Sequence, residues 1–248
     1  MKVISKKDIK SAGKFILIYG ETGCGKTTTI IQTAPDPILY IGTEPRNPKP
    51  SIDAANRPNV DLDVVFYETW VSLMEFLSEP KNTARYKTIA IDSITYLMTV
   101  SLTSELEDEA YDARSDAEKR IKPLVNMSKM TMESYGGLSS QMFRLCKSVG
   151  RLSTEGKVVI VTALLAENPK WDRSLAAAPA LKGKEFPTSF PGFLDLIGKV
   201  EPRLDENDNI VYPPYVSFES PDDSFLAKFT GAGKKRSGPL NFEKILKG

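Results

Sequence analysis

Gly20, Gly25, Lys26 and Thr27 are spaced as Gly-x-x-x-x-Gly-Lys-Thr. That spacing is a phosphate cradle: glycines let the backbone curl so that successive N–H groups point at anionic oxygens, and a helix start adds its positive end. On this logic Gly20, Glu21, Thr22, Gly23, Cys24, Gly25, Lys26, Thr27 and Thr28 hold the phosphates of a nucleotide. Lys26 reaches the β- and γ-phosphates, and the Thr27 hydroxyl holds Mg2+. Asp92 belongs with them. It closes the apolar run Ile89-Ala90-Ile91, where a phosphate-loop ATPase places the acid that contacts Mg2+ through its water shell. The bland alternative is a helix cap before Ser93, and both can hold. No guanine-reading Asn-Lys-x-Asp stretch is present, so ATP is the expected nucleotide.

These groups need elements to position them. Phe15-Ile16-Leu17-Ile18-Tyr19 reads as a buried strand and Thr27 to Thr33 as a helix, stopped at Ala34-Pro35-Asp36-Pro37 because proline lacks an N–H. Ile38-Leu39-Tyr40-Ile41 is a second strand, with Glu44 just beyond its end and an exposed proline-rich loop over 45–58. Val64 to Tyr67 and Lys87 to Asp92 are further strands, separated by a helical stripe at Val71, Met74 and Leu77. Strand alternating with helix predicts an α/β fold with a mainly parallel twisted sheet flanked by helices. Tyr135-Gly136-Gly137 reads as a break before a second stripe, Leu138, Met142, Leu145, Val149 and Leu152, which leads to the strand Val158 to Thr162. Phe193 to Val200, Pro213 to Phe218 and Phe225 to Phe229 are expected as later strands, antiparallel at the C-terminal end, joined by turns at 205–209 and 221–223.

Composition narrows the class. Lys+Arg 33 against Asp+Glu 32 leaves a net charge of +1, so any nucleic-acid site must be local. With no histidine, His-based triads and zinc sites are excluded. Cys24 and Cys146 cannot form a disulfide framework, which points to a reducing cytoplasm. No run approaches the ~18 apolar residues of a membrane span. The expected organisation is a lead-in at 1–14, one core at 15–230 with a charged excursion at 105–135, and a basic tail at 231–248.

Leu39-Tyr40-Ile41-Gly42-Thr43-Glu44, Ile89-Ala90-Ile91-Asp92-Ser93 and the glycine-led helix after Gly137 resemble a RecA-like P-loop NTPase core. The proline-rich loop after Glu44, the Pro179-Ala180-Leu181-Lys182-Gly183 spelling and the late Ala227-Lys228 strand look like the phage-type, single-strand-annealing members of that family. The resemblance implies that Glu44 activates the attacking water and that the protein binds single-stranded DNA, promoting annealing or strand exchange. It also implies a homo-oligomer, ring or filament, in which Lys228 or Arg236 reaches a neighbour's γ-phosphate, and a single-strand-binding protein as a further partner. The sequence departs from the family at Val161-Thr162-Ala163-Leu164, where RecA proteins carry a glutamine.

Beside the resemblance stands the composition of 166–187, a stretch without period that reads as a long loop and a candidate DNA-binding one. Lys170, Trp171, Arg173, Lys182, Lys184 and Phe186 combine cations for a phosphate backbone with aromatics for unpaired bases. The rival reading is a nucleotide-gated ATPase for loading, packaging or segregation, docking a protein through the acidic 105–133 stretch. A small-molecule kinase is the third, weakened by the lack of clustered lid arginines.

Overall fold

Phe15 to Tyr19 has no charged or strongly polar position, so a strand made of it needs cover on both faces. In the computed structural model, which describes residues 13–121, 132–230 and 237–247, it is β1 (Lys14–Gly20) near the middle of a ten-stranded sheet. The chain continues through α1 (Lys26–Thr33), β2 (Ile38–Gly42), α2 (Lys49–Ala55), β3 (Leu62–Phe66), α3 (Trp70–Ser78), α4 (Pro80–Thr83) and β4 (Thr88–Asp92). Next comes a helical run of α5 (Ile94–Tyr96), a π turn (Leu97–Ser101) and α6 (Leu102–Asp112), then α7 (Asp116–Ile121) and α8 (Met132–Thr154). The second half holds β5 (Val158–Glu167), β6 (Ala177–Pro179), α9 (Glu185–Ser189), a 3-10 turn (Phe190–Phe193), β7 (Leu196–Leu204), β8 (Ile210–Ser217), β9 (Lys228–Phe229), β10 (Ser237–Pro239) and α10 (Phe242–Lys247).

The strand order is β10-β8-β7-β1-β5-β4-β2-β3, with β6 on β5 and β9 on β7. Pairings from β7 through β3 are parallel, and β8, β10, β9 and β6 pair antiparallel. This is a mostly parallel α/β P-loop NTPase core with antiparallel C-terminal strands. Alternate residues of β1 feed two cores. Phe15, Leu17 and Tyr19 pack with the Leu138, Met142, Leu145, Val149 and Leu152 stripe of α8, while Ile16 and Ile18 pack with Ile30 of α1 and Phe242 of α10. Among the described residues no helix is long and apolar enough to cross a membrane.

Several expectations need correction. Gly136 and Gly137 lie inside α8, where a Cβ added at Gly137 would lie 3.6 Å from the Leu106 side chain; the packing of the helix as a whole outweighs glycine's poor helix propensity. Within 45–58 the chain forms α2, with Pro50 early in the helix, where its missing N–H costs nothing. Residues 166–187 are not a structureless loop, because β5 runs on to Glu167 and pairs with β6 before α9 begins. The strand expected at 193–200 starts later, at Leu196, and the 225–229 strand shrinks to two residues that pair with β7. Residues 237–247 are no loose tail: β10 pairs with β8, Phe242 is fully buried, and its N–H donates to Thr33 Oγ1. Most of the 1–14 lead-in lies outside the described residues, as do 122–131 of the excursion.

Candidate functional site

The parallel strands β1, β2, β4 and β5 all end at the same edge of the sheet, so their C-terminal residues and the loops that follow converge there. The cradle follows β1. Gly23 and Gly25 have φ of 81° and 91°, the left-handed region that glycine enters without strain. A side chain at Gly25 would also meet Tyr212 of β8, since an added Cβ lies 2.6 Å from its ring. Lys26 is buried, and its Nζ donates to the carbonyls of Gly20 at 2.9 Å and Glu21 at 2.7 Å. The ammonium thus sits beneath the loop, at the floor of a cleft of about 270 Å3. Thr22, Gly23, Thr27 and Thr28 line that cleft, whereas the Cys24 side chain packs into the core. Burial pushes the Cys24 thiol up, and nearby Lys26 offsets only part of this, so it stays protonated.

Opposite the cradle, Asp92 is buried at the end of β4 and accepts three hydroxyls. Thr27 Oγ1 and Tyr40 OH donate to Oδ2 at 2.5 and 2.8 Å, and Thr162 Oγ1 donates to Oδ1. Burial first and the Asp92 charge second push the Tyr40 hydroxyl far up, which keeps it a donor. Capping falls to the next residue: the Ser93 hydroxyl accepts from Tyr96 N–H, so the carboxylate of Asp92 is not spent as a helix cap. The Thr27 hydroxyl and the Asp92 carboxylate form the hard-oxygen pair that could hold a divalent cation, leaving its other positions to phosphate and water. That donor set fits Mg2+.

Glu44 is brought to the same place because β2 is the neighbour of β4. Its Oε1 accepts from Ser93 Oγ at 3.0 Å, and Ser93 N–H donates to Thr43 Oγ1 at 2.8 Å, tying the two loops together. Arg46, Ser51, Tyr96, Leu164 and Tyr212 complete the lining. No local sequence signal marks Tyr212, which arrives from almost two hundred residues away on the antiparallel edge. Tyr40 and Thr162 carry a periodic clue only once the order β2-β4-β5 is known.

A second, more open groove of about 810 Å3 lies past the end of β5. Lys170, Trp171, Lys182 and Lys184 line it together, joined by Tyr135 of α8, whose ring has Lys182 Nζ 6.0 Å from its centroid. Trp171 Nε1 is enclosed without a hydrogen-bond partner. Two expected members are elsewhere. Arg173 is exposed outside the lining, and Phe186 is fully buried, stacked on Phe190 and edge-on to Phe143. An apolar ring beside α8 gains more from the core than from solvent, so Phe186 is a packing residue. Lys228 Nζ donates to the Pro191 carbonyl at 2.9 Å and does not line the cleft of its own chain. Arg236 lies outside the described residues. In the excursion, Glu105 accepts from Tyr67 OH and from Trp70 N–H, so this acid anchors the start of α3.

No curated protein matches the chain. A family model described as an AAA domain matches residues 12–228, from just before β1 through the first residue of β9. A glycine cradle with its buried lysine, facing a carboxylate across the C-terminal strand edge, is the arrangement such an ATP-binding domain requires, and the chain belongs to the AAA domain family of P-loop ATPases.

Proposed function

We propose that the protein hydrolyses ATP with Mg2+ in the cleft and binds single-stranded DNA in the adjoining groove, serving annealing or strand exchange in the manner of short RecA-like recombination proteins. Lys26 and the loop amides hold the phosphates, Thr27 and Asp92 hold the cation, and Glu44 takes a proton from water as its oxygen attacks the γ-phosphorus. A bound Mg2+ supplies charge neutralisation of the phosphate oxygens.

The observation that carries the DNA half is the gathering of Lys170, Trp171, Lys182, Lys184 and Tyr135 around one open groove. Cations for a backbone and exposed ring faces for bases are what sequence-tolerant single-strand binding uses. The groove is also wired to the cleft. On β5, Thr162 holds Asp92, Leu164 lines the cleft and Ala166 lines the groove, so a shift of that strand on nucleotide binding moves both. A homo-oligomer, with Lys228 or Arg236 serving a neighbour, belongs to the same reading.

The test is fluorescence anisotropy with a labelled oligonucleotide. Replacing Lys170 and Trp171 together by Ala weakens binding by about 1–3 kcal/mol for the lost stack and lowers the salt slope by about 0.7 for the lost phosphate contact. ATP affinity stays unchanged. Equal DNA affinity in the double variant sinks the groove, and absence of DNA binding by the parent at low salt favours a protein partner instead.

A further inference from the structure

Among the described residues only two cations line the nucleotide cleft, Lys26 and Arg46. Lys26 is fixed to the carbonyls under the cradle. Arg46 is its opposite in every respect. It stands on the turn after β2, where Arg46 N–H donates to the Glu44 carbonyl at 2.7 Å and folds the chain back. Its Nη2 lies 3.6 Å from Glu44 Oε2, with 58% of its side chain exposed. An ion pair that long and that wet is held weakly and is released at little cost. A guanidinium fork matches phosphate oxygens better than it matches a single carboxylate oxygen at that range.

We propose that Arg46 is a catalytic cation supplied in cis: on ATP binding it leaves Glu44 and its guanidinium donates to the γ-phosphate oxygens. The exchange does two things at once. Positive charge arrives where negative charge is redistributed during transfer. Glu44 is freed of its guanidinium partner and keeps the Ser93 hydroxyl bond that orients it. In the step itself, a water oxygen forms a bond to the γ-phosphorus while the bond from phosphorus to the β–γ bridging oxygen breaks. That electron pair leaves on ADP, and the water proton passes to Glu44 and then to the released inorganic phosphate.

The proposal rests on the ATP-hydrolysis half of the proposed function, and the experiment separates the two. Arg46→Ala and Arg46→Lys are compared with the parent in steady-state turnover, in fluorescent ATP titration, and in trapping of fluorescent ADP with aluminium fluoride. The expected result is a fall in turnover of about 10³-fold or more for Arg46→Ala, ATP affinity within a few-fold of the parent, and loss of the trapped ADP–fluoride complex. Arg46→Lys recovers part of the turnover, since it keeps the charge without the fork. Adding a Lys26→Ala chain, which carries an intact Arg46, restores nothing to Arg46→Ala. Restoration by mixing overturns the cis assignment and gives the role to a neighbour. Parent-like turnover and trapping in Arg46→Ala overturn the proposal while ATP hydrolysis stands. A parent that binds ATP without turning it over removes the hydrolysis reading and this proposal with it.

Discussion

Glu44→Gln is expected to bind ATP within a few-fold of the parent and to hydrolyse it about 10²–10⁴-fold more slowly, the usual worth of a positioned general base. The substitution is nearly isosteric. Gln can still accept the Ser93 hydroxyl bond through its carbonyl oxygen, so the tie between the β2 and β4 loops survives. What disappears is basicity. The cradle, Thr27 and Asp92 do not touch the Glu44 side chain through any hydrogen bond given by the structure, which is why affinity should be spared. A coupled assay for ADP release and a fluorescent nucleotide titration, run on the same preparation, separate the two quantities. Turnover equal to the parent's would remove Glu44 from the chemistry.

Lys26→Ala is the second large effect, and it falls on binding. Removing one partner of a desolvated, hydrogen-bonded charge contact costs about 2–5 kcal/mol, which at 1.4 kcal/mol per decade is roughly 30- to several-thousand-fold in affinity. Two losses combine at this position. In the proposed binding mode the γ-phosphate loses a cation, and the Gly20 and Glu21 carbonyls lose the donor that holds the loop in its curl. Isothermal titration with ATP reads the result directly. Undiminished affinity in a folded Lys26→Ala protein would mean that the loop is not the phosphate site.

The parts of this site that were legible in the sequence are those in which one short stretch carries both the chemistry and the geometry. Gly20 to Thr28 spells its own loop, and Asp92 is placed by the apolar strand that ends on it. The α8 stripe from Leu138 to Leu152 is equally readable, because a period of 3.6 needs no knowledge of partners. Failure came where long-range packing decides. Phe186 has the composition of a base-stacking residue and the surroundings of a core residue, and only the approach of Phe143 and Phe190 separates those fates. Gly136 and Gly137 look like a break, yet α8 runs through them. Tyr135 and Tyr212 enter their sites from elements that local pattern cannot bring near. Glu105 belongs to the stretch expected as a charged, partner-facing excursion and is held by Tyr67 and Trp70 instead.

Coupling between the cleft and the groove is read by steady-state ATP hydrolysis by the purified protein, with and without single-stranded DNA across a salt series. DNA is expected to change the turnover, and the change to fade as salt rises, because backbone contacts from the Lys170, Lys182 and Lys184 groove are screened. Turnover that is indifferent to DNA at low salt, in a protein that hydrolyses ATP, would contradict it and turn the search toward a protein partner.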